Sequence, residues 1–508
     1  MGERTTMTPQ SAHPTHTRQS LANDIWHACD ILRRDNNCGG VMQYVEHLAW
    51  LLFLRFLDAQ EEEWEAEAQL EGTPYQPILE EDLRWQNWAH KDWKADELLP
   101  FVHGRLIPYL QSLSGSPIRE TISSIFSERN VIVCASPYNL KDVLEIVDGI
   151  DFHSQDDIFT VSQVYEGLLK RLGSENRMAG EFYTPRPVIR FVVQLVDPQV
   201  GEEIYDPAAG SCGFLAQAYQ YVLDQAGEGL TIEQDEFLQR RAFYGQEKVA
   251  VPALLGLMNM VLHGVAAPNV VRKNTLEENI RTVRQRFDVV MTNPPFGGTE
   301  NPQIQSNFPV KATATELLFL QHVMKKLKPR DGARCGMVVP EGTLFRGGAF
   351  ATVKKDLLER FDLHTVVSLP PGTFAPYSDV KTALIFFDRP GPTKEVWYYE
   401  LALPQGLKKF SKGSPIQDEH FDAARALWAA WAAHRRGEGP RPEPTDESWI
   451  VPVAELRERE YDLSARNPNR DALETYRHPA EITASLLERE REILGIIEEL
   501  HALVGDGE

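Results

Sequence analysis

Asn293, Pro294, Pro295 and Phe296 follow the apolar run FDVVMT, so an amide, two prolines and an aromatic ring stand where a strand has just ended. The Asn293 side chain has one carbonyl acceptor and one NH₂ donor, and the Pro294 carbonyl is a second acceptor. Pro295 stiffens the loop by fixing φ, and Phe296 offers a flat apolar face. Two acceptors about one amino group, with a ring to stack on, would hold the exocyclic amine of a nucleobase. That nitrogen is a poor nucleophile because its lone pair is delocalised into the base. Drawing both N–H bonds into hydrogen bonds favours a more tetrahedral nitrogen and frees the lone pair without prior deprotonation. A base held this way must leave its duplex, at a cost on the order of a few kcal/mol, and stacking returns about 1–3 kcal/mol per base. Read alone, the four residues are most simply a stiff proline turn.

Two earlier stretches change that balance. In IYDPAAGSCGF, residues 204–214, a strand ends in Asp206, Gly210 and Gly213 allow close backbone approach, and a helix begins near Phe214. The carboxyl end of a first strand is where ligands settle in open α/β sheets. The loop is not GxGxxG and has no phosphate-binding Lys, so a nucleoside without a polyphosphate fits it. In FYGQEKV, Glu247 ends the next strand, where a carboxylate can accept hydrogen bonds from both ribose hydroxyls. A surface Glu starting a helix is the simpler alternative. Asn274, in RKNTL, could meet an adenine edge or cap the following helix, and both readings stay open.

The elements that must position these residues are legible in outline. Beyond residue 180, short β-branched runs alternate with helical patterns, as in a doubly wound α/β sheet. Seven strands are predicted, within EEIYDPA, RAFYGQE, NVVRKN, FDVVMTN, ARCGMVVP, HTVVSLP and KTALIFFD. Residues 20–175 read as a helical N-terminal domain. VMQYVEHLAWLLFLRFLDAQEEEWEAEAQL lacks Gly and Pro, and TVSQVYEGLLKRLGSENR repeats apolar residues at three-to-four spacing. Residues 176–433 form the sheet domain. Residues 434–448, HRRGEGPRPEPTDES, read as a linker or exposed loop, and residues 449–508 as a tail. In that tail Leu486, Ile493, Ile497, Leu500 and Val504 make a heptad-like stripe on an amphipathic, coiled-coil-like helix, which packs on its own domain or pairs with a partner helix. Residues 1–19 are polar and read as a disordered leader without a signal-peptide core.

The 508 residues are ordinary for a globular chain of two to four domains, with 42% hydrophobic and 25% charged residues. The longest apolar stretch, in VEHLAWLLFLRFLD, is far short of the roughly 20 residues needed to cross a bilayer. Cys29, Cys38, Cys134, Cys212 and Cys335 lack CxxC or Cys/His spacing, so they predict a reducing cytoplasm and no metal site. A net charge of −22 argues against a chain that grips nucleic acid unaided, although residues 311–360 hold ten Lys/Arg against five Asp/Glu. That stretch is otherwise a solvated helix face.

DPAAGSCGF, then NPPF, preceded by GEFYTPRPVIRFVV, resembles S-adenosylmethionine-dependent N6-adenine DNA methyltransferases, and most closely the modification (M) subunit of type I restriction-modification systems. The resemblance spans nearly the whole chain and extends to YDLSARNPNRD in the tail. It implies a Rossmann-like methyltransferase fold with S-adenosyl-L-methionine as cofactor, and methyl transfer to a flipped-out adenine at Asn293, Pro294, Pro295 and Phe296. It also implies cofactor contacts at Glu181, Phe182, Tyr183, Thr184 and Pro185, which pack over the methionine part, and at Asp206, Ala208, Gly210, Ser211, Gly213, Phe214, Glu247 and Asn274. Implied partners are double-stranded DNA, a specificity (S) subunit, a second M subunit and, in systems that also restrict, an R subunit. Such a subunit reads no sequence alone, which accommodates the acidic balance. Two positions depart from the family pattern. Cys212 stands in place of Gly, where positive φ is not easily adopted, and Asn274 stands in place of Asp. The same amide geometry also serves enzymes acting on protein glutamine or RNA, and a non-catalytic scaffold of this fold is the third reading.

Overall fold

The computed structural model describes residues 18–38, 40–90, 92–94, 96–127, 134–150, 152, 184–375, 378–464, 467–468, 490–491 and 494. The expected leader up to residue 17, the helical stretch 160–177, Glu181, Phe182, Tyr183 and the stripe residues of the C-terminal helix lie outside these residues.

The N-terminal part is helical, as its pattern predicts. Helix Val41–Glu71 runs through the Gly- and Pro-free stretch and stops at Gly72, whose φ of +68° lets Thr73 N donate back to Ala68 O at 2.9 Å. Its apolar face buries Trp50, Phe53 and Phe56 against Phe126 and Phe152. Asp58 and Glu61, buried on the same helix, accept backbone N–H groups of Trp85, Ile78 and Leu79, so the chain after the helix is fastened by carboxylates as well as by packing. Leu255, Met258 and Val261, on helix Ala250–Leu262 of the sheet region, lie in this same core. The helical part and helix Ala250–Leu262 of the sheet region therefore share one hydrophobic cluster.

Among the described residues, nine strands form one sheet in the order β3-β2-β1-β4-β5-β7-β6-β8-β9. They are β1 Ile204–Asp206, β2 Phe243–Glu247, β3 Asn269–Arg272, β4 Val289–Thr292, β5 Arg334–Pro340, β6 Asp362–Ser368, β7 Thr382–Asp388, β8 Glu395–Glu400 and β9 Ser448–Pro452. The first five pair in parallel, and β7 inserts antiparallel between β5 and β6. Every residue of β4, VVMT, is buried, as expected of a strand covered on both faces.

The seven expected strands are β1–β7, and the expected total of seven is corrected to nine. β8, EVWYYE, carries the β-branched and aromatic residues of a strand. β9 follows the Pro/Gly-rich segment and pairs antiparallel with β8 at the sheet edge, where Pro452 ends it without breaking a central ladder. Residues 436–447 are thus a loop between helix Asp422–Arg435 and β9, not a linker, and the sheet continues past the expected boundary at 433.

Candidate active site

The chain order along the sheet reverses between β1 and β4, so their carboxyl ends flank the crevice where α/β sheets bind ligands. Asp206 ends β1 and Asn293 follows β4. The two strand ends are joined directly, because Thr292 Oγ1 donates to Asp206 Oδ1 at 2.7 Å. The same carboxylate oxygen accepts from Ala208 N at 3.0 Å. Burial pushes the Asp206 carboxyl up to about 7. The hydrogen bonds from Thr292 and Ala208 pull the other way, and the charge of Glu247 adds to the upward push.

The loop after β1 is tied to the end of β2. Ala209 N donates to Gln246 O at 2.9 Å, and Gly210 N donates to Glu247 Oε2 at 3.0 Å. Glu247 Oε1 also accepts from Val249 N at 2.8 Å. Gly210 sits at φ +51° and Cys212 at φ +60°. The expectation that Cys212 resists positive φ is thus corrected. A non-glycine residue there costs about 1–2 kcal/mol, which the surroundings must supply. They do so from helix Ala250–Leu262: Asn259 Nδ2 donates to Ser211 O at 2.9 Å, and Gly256 lets the loop rest on the helix. A Cβ at Gly256 would stand 2.6 Å from Cys212 Sγ and 2.9 Å from Gly210 O. Gly213 begins helix Gly213–Ala226, and Phe214 points into the core at 3% exposure.

Asn274 caps the short helix Thr275–Glu277, its Oδ1 accepting from Leu276 N at 3.2 Å. The capping half of the sequence reading is therefore what the fold displays. Pro185 precedes helix Arg186–Val196, and Thr184 meets the opposite motif: Asn293 Nδ2 donates to Thr184 Oγ1 at 2.9 Å. This fixes the amide and leaves Asn293 Oδ1 buried without a hydrogen-bond partner among the described residues. Such orphaned acceptors are rare in folded proteins and point to something that fills them.

The rest of the NPPF loop is braced. Thr315 Oγ1 donates to Pro295 O at 3.2 Å, and Thr315 N donates to Gly298 O at 3.2 Å. The Phe296 ring meets Phe374 edge to face, centroids 6.2 Å apart at 84°. Phe374 comes from the LPPGTF loop after β6. Gly372 in that loop has φ +76°, and a Cβ there would lie 2.1 Å from Phe410 O.

Thr292, Gly256, Asn259 and Phe374 escaped the sequence reading. LPPGTF directly after a strand was a usable signal for Phe374. Gly256 and Asn259 sit on an apolar helix and act only through a loop folded onto them. Sequence spacing also missed that Asp35, Cys38 and Cys134 come together, buried, with their ligand atoms within 4.8 Å of one another. This cluster fastens the chain rather than offering an open metal site. Asp35 accepts from Asn37 N, Ala135 N, Ser136 N and Asn139 Nδ2, and the nearby His47 Nε2 accepts from Cys134 N.

The donor set suits the implied cofactor. Residues 206–214 hold no Lys or Arg to pair with a polyphosphate, and the Glu247 carboxylate at the adjacent strand end suits a nucleoside whose ribose hydroxyls donate hydrogen bonds.

Comparison with known proteins agrees with this geometry. Residues 154–475 match the family model described as N-6 DNA methylase, and residues 21–147 match the HsdM N-terminal domain. The methylase subunit of the type I restriction enzyme EcoEI from Escherichia coli is 37% identical, over 96% of this chain and 98% of that one. A solved chain of a type I restriction-modification system is 71% identical, covering 97% of this chain and 99% of that one at a TM-score of 0.75. A modification subunit assigned to a type I restriction enzyme of Vibrio vulnificus is 36% identical, covering 92% and 100% at a TM-score of 0.82. Two family models in register with the two structural parts, and relatives matched nearly end to end, leave one assignment: the chain belongs to the modification subunits of type I restriction-modification systems and is an N6-adenine DNA methyltransferase.

Proposed function

We propose that the crevice between β1 and β4 holds S-adenosyl-L-methionine on one side and a flipped-out adenine on the other. Bound there, the cofactor supplies an electrophilic methyl group. Asp206 and the loop through Ala208, Gly210, Ser211 and Gly213 face its cationic part, and Glu247 accepts from its ribose. Thr184 and Pro185 close over it. Asn293 Oδ1 and the Pro294 carbonyl accept the two N–H bonds of the adenine amine, while Pro295 keeps both acceptors in place. Phe296, braced by Phe374, stacks on the base.

The observation that carries this reading is the Asn293 amide. Its nitrogen is anchored on Thr184 and its oxygen is a buried, unfilled acceptor, one strand away from a carboxylate-lined loop. Specific methylation requires double-stranded DNA, a specificity subunit and a second modification subunit, with the C-terminal helix as a docking surface. A restriction subunit joins where cleavage is coupled, and the complex works in the cytoplasm.

Tritium transfer from labelled cofactor to DNA by the assembled complex tests the central residue. Asn293→Ala is expected to lower transfer at least about 100-fold with cofactor affinity within about threefold of the parent. An unchanged transfer rate would sink the amine-holding role.

A further inference from the structure

Phe345 is 54% exposed, an unusual position for a phenyl ring whose neighbours in sequence are firmly held. β5 runs parallel to β4, with Met337 opposite Thr292, so the chain leaving Pro340 emerges at the same sheet edge as Asn293. It turns through the short helix Gly342–Phe345, with Leu344 buried beneath. The carbonyls on both sides of Phe345 are held by one ammonium group. Lys354 Nζ, on helix Ala349–Arg360, donates to Leu344 O and, at 2.9 Å, to Arg346 O. Lys354 is only 1% exposed, and burying an ammonium is costly unless its hydrogen bonds are made. Leu463 N donates to Leu344 O at 2.9 Å, and Arg346 N to Gly342 O at 3.1 Å. The backbone is thus pinned while the ring is left outside.

The segment that carries the ring is also tied to the NPPF loop. Arg346 Nη1 pairs with Glu316 Oε1 at 3.4 Å, and the adjacent Thr315 holds the Pro295 carbonyl and Gly298. Extruding an adenine leaves a gap in the base stack, and an apolar side chain inserted there stacks on the bases it separates. We propose that Phe345 is the wedge that enters the duplex where the target adenine has left, with the Lys354 clamp setting its reach. This rests on the reading that Asn293 to Phe296 receive the flipped adenine.

The test uses the complete complex with its specificity subunit and a duplex carrying its recognition sequence, identified by mapping N6-methyladenine. Phe345→Ala is expected to slow single-turnover methyl transfer about 10–100-fold on a fully paired duplex, as loss of one base-stacking contact implies. The deficit should shrink to about threefold when the target adenine faces an abasic site, because extrusion is then already cheap. Phe345→Trp should retain the rate. Equal rates for Phe345→Ala and the parent on paired DNA would overturn the wedge. An equal deficit on both duplexes would also overturn it, since that marks a merely structural role, as would failure of the variant to join the specificity subunit. If the parent complex methylates no adenine, the underlying reading fails instead.

Discussion

Asp206 shows how burial and hydrogen bonding compete at one side chain. Its carboxyl lies near 7 in the folded chain against an ordinary 3.8, with burial the largest cause. The folded state therefore favours the protonated acid. Its contribution to stability is fully present below about 3.8 and is lost as pH rises through about 7. Asp206→Asn keeps the acceptor for Ala208 N and Thr292 Oγ1 but never carries the charge. Without cofactor, this variant should melt about 2–6 °C above the parent at pH 8, a gap that closes toward pH 4. A gap that widened on acidification would mean that Asp206 is stabilised as the anion. Asp206, Glu247 and the NPPF motif were legible in the sequence because strand ends and turn residues mark them locally. The unfilled oxygen of Asn293 was not, since the Thr184 hydroxyl that fixes the amide through its nitrogen comes from a distant part of the chain.

At the scale of elements, helix Ala250–Leu262 is the support that sequence pattern concealed. It reads as an apolar helix, yet Gly256 and Asn259 on it hold the loop after β1, with Cys212 in a left-handed conformation. Gly256→Ala would force its Cβ against Cys212 Sγ and Gly210 O. Calorimetry should then show cofactor binding weakened by about tenfold or more, while the helix itself, relieved of an interior glycine, stays folded. Unchanged affinity would show that the loop yields without consequence. Strands β1–β7 were legible because β-branched runs alternate with helical periods. β8 was missed although EVWYYE carries strand residues, and β9 because the long Pro/Gly-rich segment before it reads as the end of a domain, so that only pairing with β8 makes SWIVP an edge strand.

Across the whole molecule, charge is allocated by the fold rather than by sequence blocks. The basic stretch 311–360 reads as a cationic surface. In the structure Lys326 pairs with Glu278, Lys328 with Glu203 and Asp288, Arg330 with Asp288, and Arg334 with Glu202. Much of that charge is therefore spent within the protein, which agrees with a chain of net charge −22 that meets DNA as part of a complex. Helix Ala250–Leu262 packs into the core of the N-terminal helices and also holds the loop after β1 through Asn259. The assembled complex is proposed to methylate adenine N6 through Asn293. Genome-wide mapping of N6-methyladenine in cells carrying the chain with its specificity subunit tests it most directly. One recurring sequence motif is expected to be methylated in the parent strain and unmethylated in the Asn293→Ala strain. The same motif still methylated in that strain, or methyl groups found only on cytosine, RNA or protein, would contradict it.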